Sequence, residues 1–129
     1  MRLLLDTQCW LWMSLAPGRF SPRGLATVSE PNNELLLSIA SAWEIVIKTS
    51  LGKLDLPCPP GEYLPTRLAG TKTRLLPIHL DHVISLAGLP AHHRDPFDRM
   101  IVAQARSERL PILSSDLRLR AYDVEVVAP

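Results

Sequence analysis

The chain has 129 residues, a net charge of +1 and 21% charged residues, which suits a single domain with a real core and argues against wholesale disorder. So small a net charge excludes a basic nucleic-acid coat, so a polyanion would have to be met by a local patch rather than a global field. Aromatics make up only 5%, which leaves the core to Leu, Ile, Val and Ala.

RLLLD (2–6) is a short apolar run ending in an acid and reads as a buried strand. A helix is expected from Thr7, with Trp10, Leu11 and Leu15 inward, until PGRFSP (17–22) breaks it. Ser21 followed by Pro22 has the form of a cap and first-turn proline for a second helix, reaching about Ser29. PNN (31–33) is a turn and ELLLS (34–38) a second buried strand. From Ile39 to Leu51 the pattern is helical. Ile39, Ala42, Trp43, Val46 and Ile47 form one apolar stripe, and Gly52 is placed to stop the helix. DLPCPPGEYLP (55–65) reads as a proline-rich surface connection. RLLPI (74–78) is expected to be a third strand and His79 to Leu86 a short helix, with His79 and His82 on its surface. Phe97 to Arg109 is a helix with Phe97, Met100, Ile101 and Ala105 on one face. LPILSSD (110–116) is a strand ending in an acid, and VEVVA (124–128) an edge strand.

Strands alternating with helices imply parallel strands joined by crossovers. Short apolar strands fit a sheet covered on both faces. The expected architecture is therefore α/β: a three-layer α/β/α sandwich with a mainly parallel central sheet, as one domain over residues 1–129. Ligands of such sheets bind beyond the carboxyl ends of the strands, where Asp6 and Asp116 would project into one crevice. Cys9 and Cys58 fit no metal ribbon and read as reduced thiols of a cytosolic protein. The opening MRLLLDTQCWLWM is only superficially like a secretory leader, since Asp6 interrupts its apolar run and no small-residue cleavage site follows. No apolar run is long enough to cross a bilayer.

Each acid has an ordinary reading of its own. Asp6 and Asp116 suit helix or turn caps. Glu44 lies four residues before Lys48, the spacing of an exposed helix pair, although its apolar neighbours put it at the edge of the buried face. In HHRDPFDRM (92–100), Asp95 suits an N-cap, Pro96 the first helical position and Asp98 the third, where the helix dipole favours negative charge. Helix-start chemistry leaves His92, His93, Arg94 and Arg99 unexplained; they are either a solvated rim or phosphate contacts. The four acids Asp6, Glu44, Asp98 and Asp116 recur where the expected fold converges. Carboxylates forced together repel unless a cation intervenes. Hard oxygen ligands suit Mg²⁺ or Mn²⁺, and such ions activate water and stabilise in-line displacement at phosphorus.

Together LLLDT (3–7), SAWEI (41–45), HHRDPFDRMIVAQA (92–105) and LSSD (113–116) resemble the PIN domain family, closest to its VapC-type toxins. The resemblance runs over nearly the whole chain. It implies a PIN-like fold and an Mg²⁺- or Mn²⁺-dependent endoribonuclease, the toxin of a toxin–antitoxin pair acting on RNA in the cytoplasm. It also implies a cognate antitoxin and a homodimer, and assigns no membrane. Carried over by resemblance, Asp6, Glu44, Asp98 and Asp116 are the catalytic and metal-binding acids. Thr7, Ser114 and Asp95 support them, and Arg94 and Arg99 are candidate phosphate contacts. Ser114 stands where relatives often carry Thr, and Gln8 where many carry His. Trp10, Leu11, Trp12 and Met13 are more apolar residues than one helix face can bury, which makes them candidates for the dimer surface.

The alternative from another class is a catalytically weak or inactive PIN-fold binding module for RNA or a protein partner. A dehalogenase-type phosphatase needs a second Asp where Gln8 stands. A receiver domain needs an Asp ending a central strand, which neither ELLLS nor RLLPI supplies.

Overall fold

In the computed structural model, which describes residues 1–129, five strands run parallel in one sheet. They are β1 (Arg2–Leu5), β2 (Glu34–Ser38), β3 (Thr73–Leu76), β4 (Ile112–Leu113) and β5 (Val126–Val127), in the spatial order β3-β2-β1-β4-β5. Six helices connect them: α1 (Thr7–Leu15), α2 (Pro22–Ser29), α3 (Ile39–Ser50), α4 (Pro60–Gly70), α5 (Leu80–Ser85) and α6 (Pro96–Glu108).

The strand alternation divides the core in two. Leu3, Leu5, Leu35 and Leu37 face one layer and pack with Trp10, Phe20, Val28, Ile45 and Tyr63. Leu4, Leu36 and Ile112 face the other and pack with Ile101, Val102, Ala105, Leu119 and Tyr122. The expected three-layer α/β/α sandwich is therefore the observed one. Its all-parallel order places the topological switch between β1 and β4. The backbone N–H of Asp6 donates to Leu113 at 3.0 Å, so the ends of β1 and β4 are tied at one edge. No helix is long and apolar enough to cross a membrane.

Several local expectations need correction. The stretch expected as a mere connection contains α4, begun by Pro60 at its first position. Tyr63 of α4 is buried edge-on against Trp10, with ring centroids 6.1 Å apart, and its hydroxyl shares a hydrogen bond with Ser14. Pro65 sits inside the helix, and its exposed position lets water satisfy the carbonyl it leaves unpaired. On α3 the buried residues are Ala40, Ser41, Glu44 and Ile45, while Trp43 is 61% exposed and Ile39 and Val46 also face outward. Small residues let α3 approach the sheet closely, and periodicity alone does not say which face does so. Leu15 is exposed rather than inward, Trp10 is fully buried, and Leu11, Trp12 and Met13 are half-buried against the core. β4 and β5 are two residues each, shorter than the runs expected over 110–116 and 124–128.

His82 is not a surface residue: it is 1% exposed, with Nδ1 accepting from the His79 backbone N–H at 3.0 Å and Nε2 donating to Glu108 at 3.0 Å. Those bonds let a polar ring fill the joint between α5 and α6. Meanwhile Leu80, Val83 and Ile84 of α5 point outward.

Candidate metal centre

Asp6 ends β1 and caps α1. Its Oδ1 accepts from the Cys9 backbone N–H at 2.7 Å and its Oδ2 from the Ser114 hydroxyl at 2.5 Å. Cap and site residue are thus the same carboxylate, oriented by a strand end 108 positions away. Burial pushes its carboxyl above the usual range, the Ser114 and Cys9 bonds pull it down, and the nearby Glu44 charge raises it. Glu44 is buried on α3, where Thr7 donates to its Oε1 at 2.5 Å and Lys48 reaches its Oε2 at 2.6 Å. The pair at helix spacing is real, but it has one end buried rather than lying on the surface.

Asp95 caps α6: its Oδ1 accepts from the backbone N–H groups of Phe97 and Asp98, at 2.8 and 3.1 Å. That start aims Asp98 at the other acids. Burial drives the Asp98 carboxyl up to about 7, the Asp95, Glu44 and Asp6 charges push the same way, and His93 opposes them. Asp116 caps the 3-10 turn Leu117–Ala121. The Arg118 side chain forks onto it, Nε to Oδ1 at 3.0 Å and Nη2 to Oδ2 at 2.9 Å. Arg118 first, then His93, hold its carboxyl down at about 2 against the opposing effect of burial.

His93 joins the two halves of the site. Its Nδ1 accepts from the Asp95 backbone N–H at 3.1 Å, which places the proton of the neutral ring on Nε2. Nε2 then donates to Asp116 Oδ2 at 2.9 Å and lies 3.3 Å from Asp98 Oδ2. One ligand atom from each of His93, Asp98 and Asp116 lies within 4.8 Å of the others. Sequence reasoning left His93 as part of a solvated rim or as a phosphate contact, not as a partner of the acids. Its position two residues before a helix cap was the available signal, since the loop that delivers the cap also delivers the ring.

Asp6, Glu44, Asp95, Asp98 and Asp116 line one cleft of about 370 Å³, together with Lys48, Lys53 and Arg118. If all ionise, the five carboxylates outnumber the three cations by two charges, which one divalent ion balances. The donors are hard oxygens, as Mg²⁺ or Mn²⁺ requires. Gln8 also lines the cleft. A larger cavity, about 700 Å³, lies near Arg106, Arg109 and Leu110 before the start of β4, and contains none of these acids. Arg94 is exposed. The Arg99 guanidinium donates to the backbone carbonyls of Pro90, His93 and Leu89, bracing the loop that carries His93.

A family model described as PIN domain matches residues 3–125. Ribonuclease VapC16 of Mycobacterium tuberculosis (strain ATCC 25618 / H37Rv) is 46% identical over 57 residues, 44% of this chain and 39% of that protein's length. Among solved structures, VapBC2 from Rickettsia felis bound to a DNA fragment from their promoter is similar at a TM-score of 0.74 and 12% identity, covering 99% of this chain and 98% of that one. A toxin–antitoxin complex from Klebsiella pneumoniae is similar at 0.60 and 18%, covering 97% and 95%.

Proposed function

The chain belongs to the PIN domain family, and from that premise we propose that it is a metal-dependent endoribonuclease, the toxin of a toxin–antitoxin pair acting in the cytoplasm. The observation that carries this reading is the convergence of Asp6, Glu44, Asp98 and Asp116 on one cleft, with Asp98 pushed up to about 7 by its surroundings. Such crowding opposes the simultaneous ionisation of these groups, and a cation relieves it. Asp6, Asp98 and Asp116 would hold Mg²⁺ or Mn²⁺, with Glu44 beside them. The bound ion supplies activation of water and neutralisation of charge at phosphorus.

The chain's own groups do the rest. Ser114 and the Cys9 N–H orient Asp6, Thr7 orients Glu44, and His93 holds Asp98 and Asp116 in register. Lys48, Lys53 and exposed Arg94 are placed to meet phosphates. Cations at the cleft wall can meet the backbone of a single strand or loop of RNA, the form in which RNA sequence is usually read. The ribonuclease name of the relative and the toxin–antitoxin title of the neighbour support the choice of RNA and of an antitoxin partner. Exposed apolar residues available to a homodimer include Ile39, Trp43 and Val46 on α3, Leu80, Val83 and Ile84 on α5, and Leu15 on α1.

The test is incubation of the antitoxin-free chain with total RNA, in Mg²⁺ and in EDTA, beside Asp98→Asn. Discrete cleavage that needs both the metal and Asp98 is expected. Cleavage that survives EDTA or the substitution would overturn the proposal.

A further inference from the structure

Asp116 differs from the other acids of the cleft in having no free acceptor. Oδ1 takes the Arg118 backbone N–H and Nε, both at 3.0 Å. Oδ2 takes Arg118 Nη2 and His93 Nε2, both at 2.9 Å. A carboxylate offers about four lone-pair sites, and all are filled. Asp98 makes only the approach to His93 through Oδ2. A divalent ion entering this cleft would find Asp98 open and Asp116 already bound to a cation from two residues away.

We infer that Arg118 is a latch: it occupies Asp116 in the metal-free protein, a divalent ion must displace its side chain to use that carboxylate, and the freed guanidinium then serves the substrate phosphate. This rests on the reading of the cleft as a divalent-metal site. Displacement is easy, because the Arg118 side chain is 68% exposed and an exposed ion pair is weak and screened. The backbone part of the cap, from the Arg118 N–H, survives the release, so the turn that presents Asp116 stays formed. A displaced guanidinium remains tethered at the cleft wall. Its planar fork, which matches a carboxylate, matches a phosphate equally well.

The experiment follows the Nε–H resonance of Arg118 while Mg²⁺ is titrated into the full chain. Calorimetric Mg²⁺ affinities are measured for the wild type, Arg118→Gln and Arg118→Lys. The resonance, assigned by its loss in Arg118→Gln, should leave its hydrogen-bonded position with the midpoint of Mg²⁺ binding. Arg118→Gln should bind Mg²⁺ about fivefold more tightly, the upper end for an exposed pair. Arg118→Lys, which keeps the charge and loses the fork, should also bind more tightly than the wild type. With an RNA oligonucleotide, KM should rise in Arg118→Gln more than kcat falls. Mg²⁺ saturation with the Arg118 resonance unmoved, or equal affinity in wild type and Arg118→Gln, would overturn the latch and leave the ion site standing. Wild-type affinity in Arg118→Lys would reduce Arg118 to a nearby charge and also overturn it. Absence of Mg²⁺ binding by all three proteins would remove the ion site and the latch together.

Discussion

Asp98→Asn should abolish cleavage and, in the metal-free protein, raise stability in a pH-dependent way. The Asp98 carboxyl sits at about 7 in the folded chain against an ordinary 3.8. Below 3.8 it is protonated in both states and has no effect. As the pH rises toward 7 the unfolded chain releases its proton while the folded chain retains it, so stability is lost across that window, and above 7 the loss is complete. The gap corresponds to at most about 4 kcal/mol. Against it stands the favourable helix-dipole contribution of a charge at the third position of α6, about 0.3–1 kcal/mol, which Asn forgoes. Asn keeps an oxygen able to accept from His93. Urea unfolding in EDTA should therefore show Asp98→Asn more stable than the wild type by about 1–3 kcal/mol at pH 8, with little of that gain at pH 4. Added Mg²⁺ should close the gap at pH 8 by stabilising the wild type. A variant no more stable than the wild type at pH 8 would refute the account of Asp98 as a crowded, buried carboxylate.

Ser114→Ala removes the hydroxyl that holds the Asp6 carboxyl down against burial. The Asp6 value should rise, and the acid limb of the cleavage–pH profile should move to higher pH; an unmoved limb argues against the bond. Gly24→Ala would place a Cβ 2.1 Å from the Pro129 carbonyl carbon. Thermal unfolding should show a loss of about 1–3 kcal/mol despite the better helix propensity of Ala, and removal of Pro129 should reverse it. Cys9 is buried and its thiol is pushed up by that burial and by the Asp6 charge. Thiol reagents should label half-buried Cys58 in the native protein and spare Cys9, as read by mass spectrometry.

Much of the local architecture was legible in the sequence because its signals lie within a few residues. Asp6, Ser21 and Asp95 each cap the helix that follows them, and Pro22 and Pro96 occupy first helical positions. The apolar runs 2–5 and 34–38 form central strands. The alternation of strand and helix gave the parallel sandwich, and with it the edge at which acids ending β1 and following β4 meet. Less legible was α4, whose prolines are helix-compatible only at a first position or on an exposed side, and whose tyrosine declares itself buried only once Trp10 and Ser14 are beside it.

By itself, then, the sequence determined where the chain folds locally and which carboxylates stand at strand and helix ends, since capping and periodicity are interactions between near neighbours. Only the tertiary structure decided what those carboxylates touch. Ser114 reaches Asp6, Thr7 reaches Glu44 and His93 reaches Asp116 across separations of 108, 37 and 23 residues. It also decided which face of α3 lies on the sheet and that His82 is buried, because burial belongs to the packing of whole elements. The electrostatic state of the cleft divides between the two: Asp98 is raised chiefly by the burial that the fold imposes, whereas Asp116 is lowered first by Arg118, two residues along the chain, and also by His93 from the other half of the site.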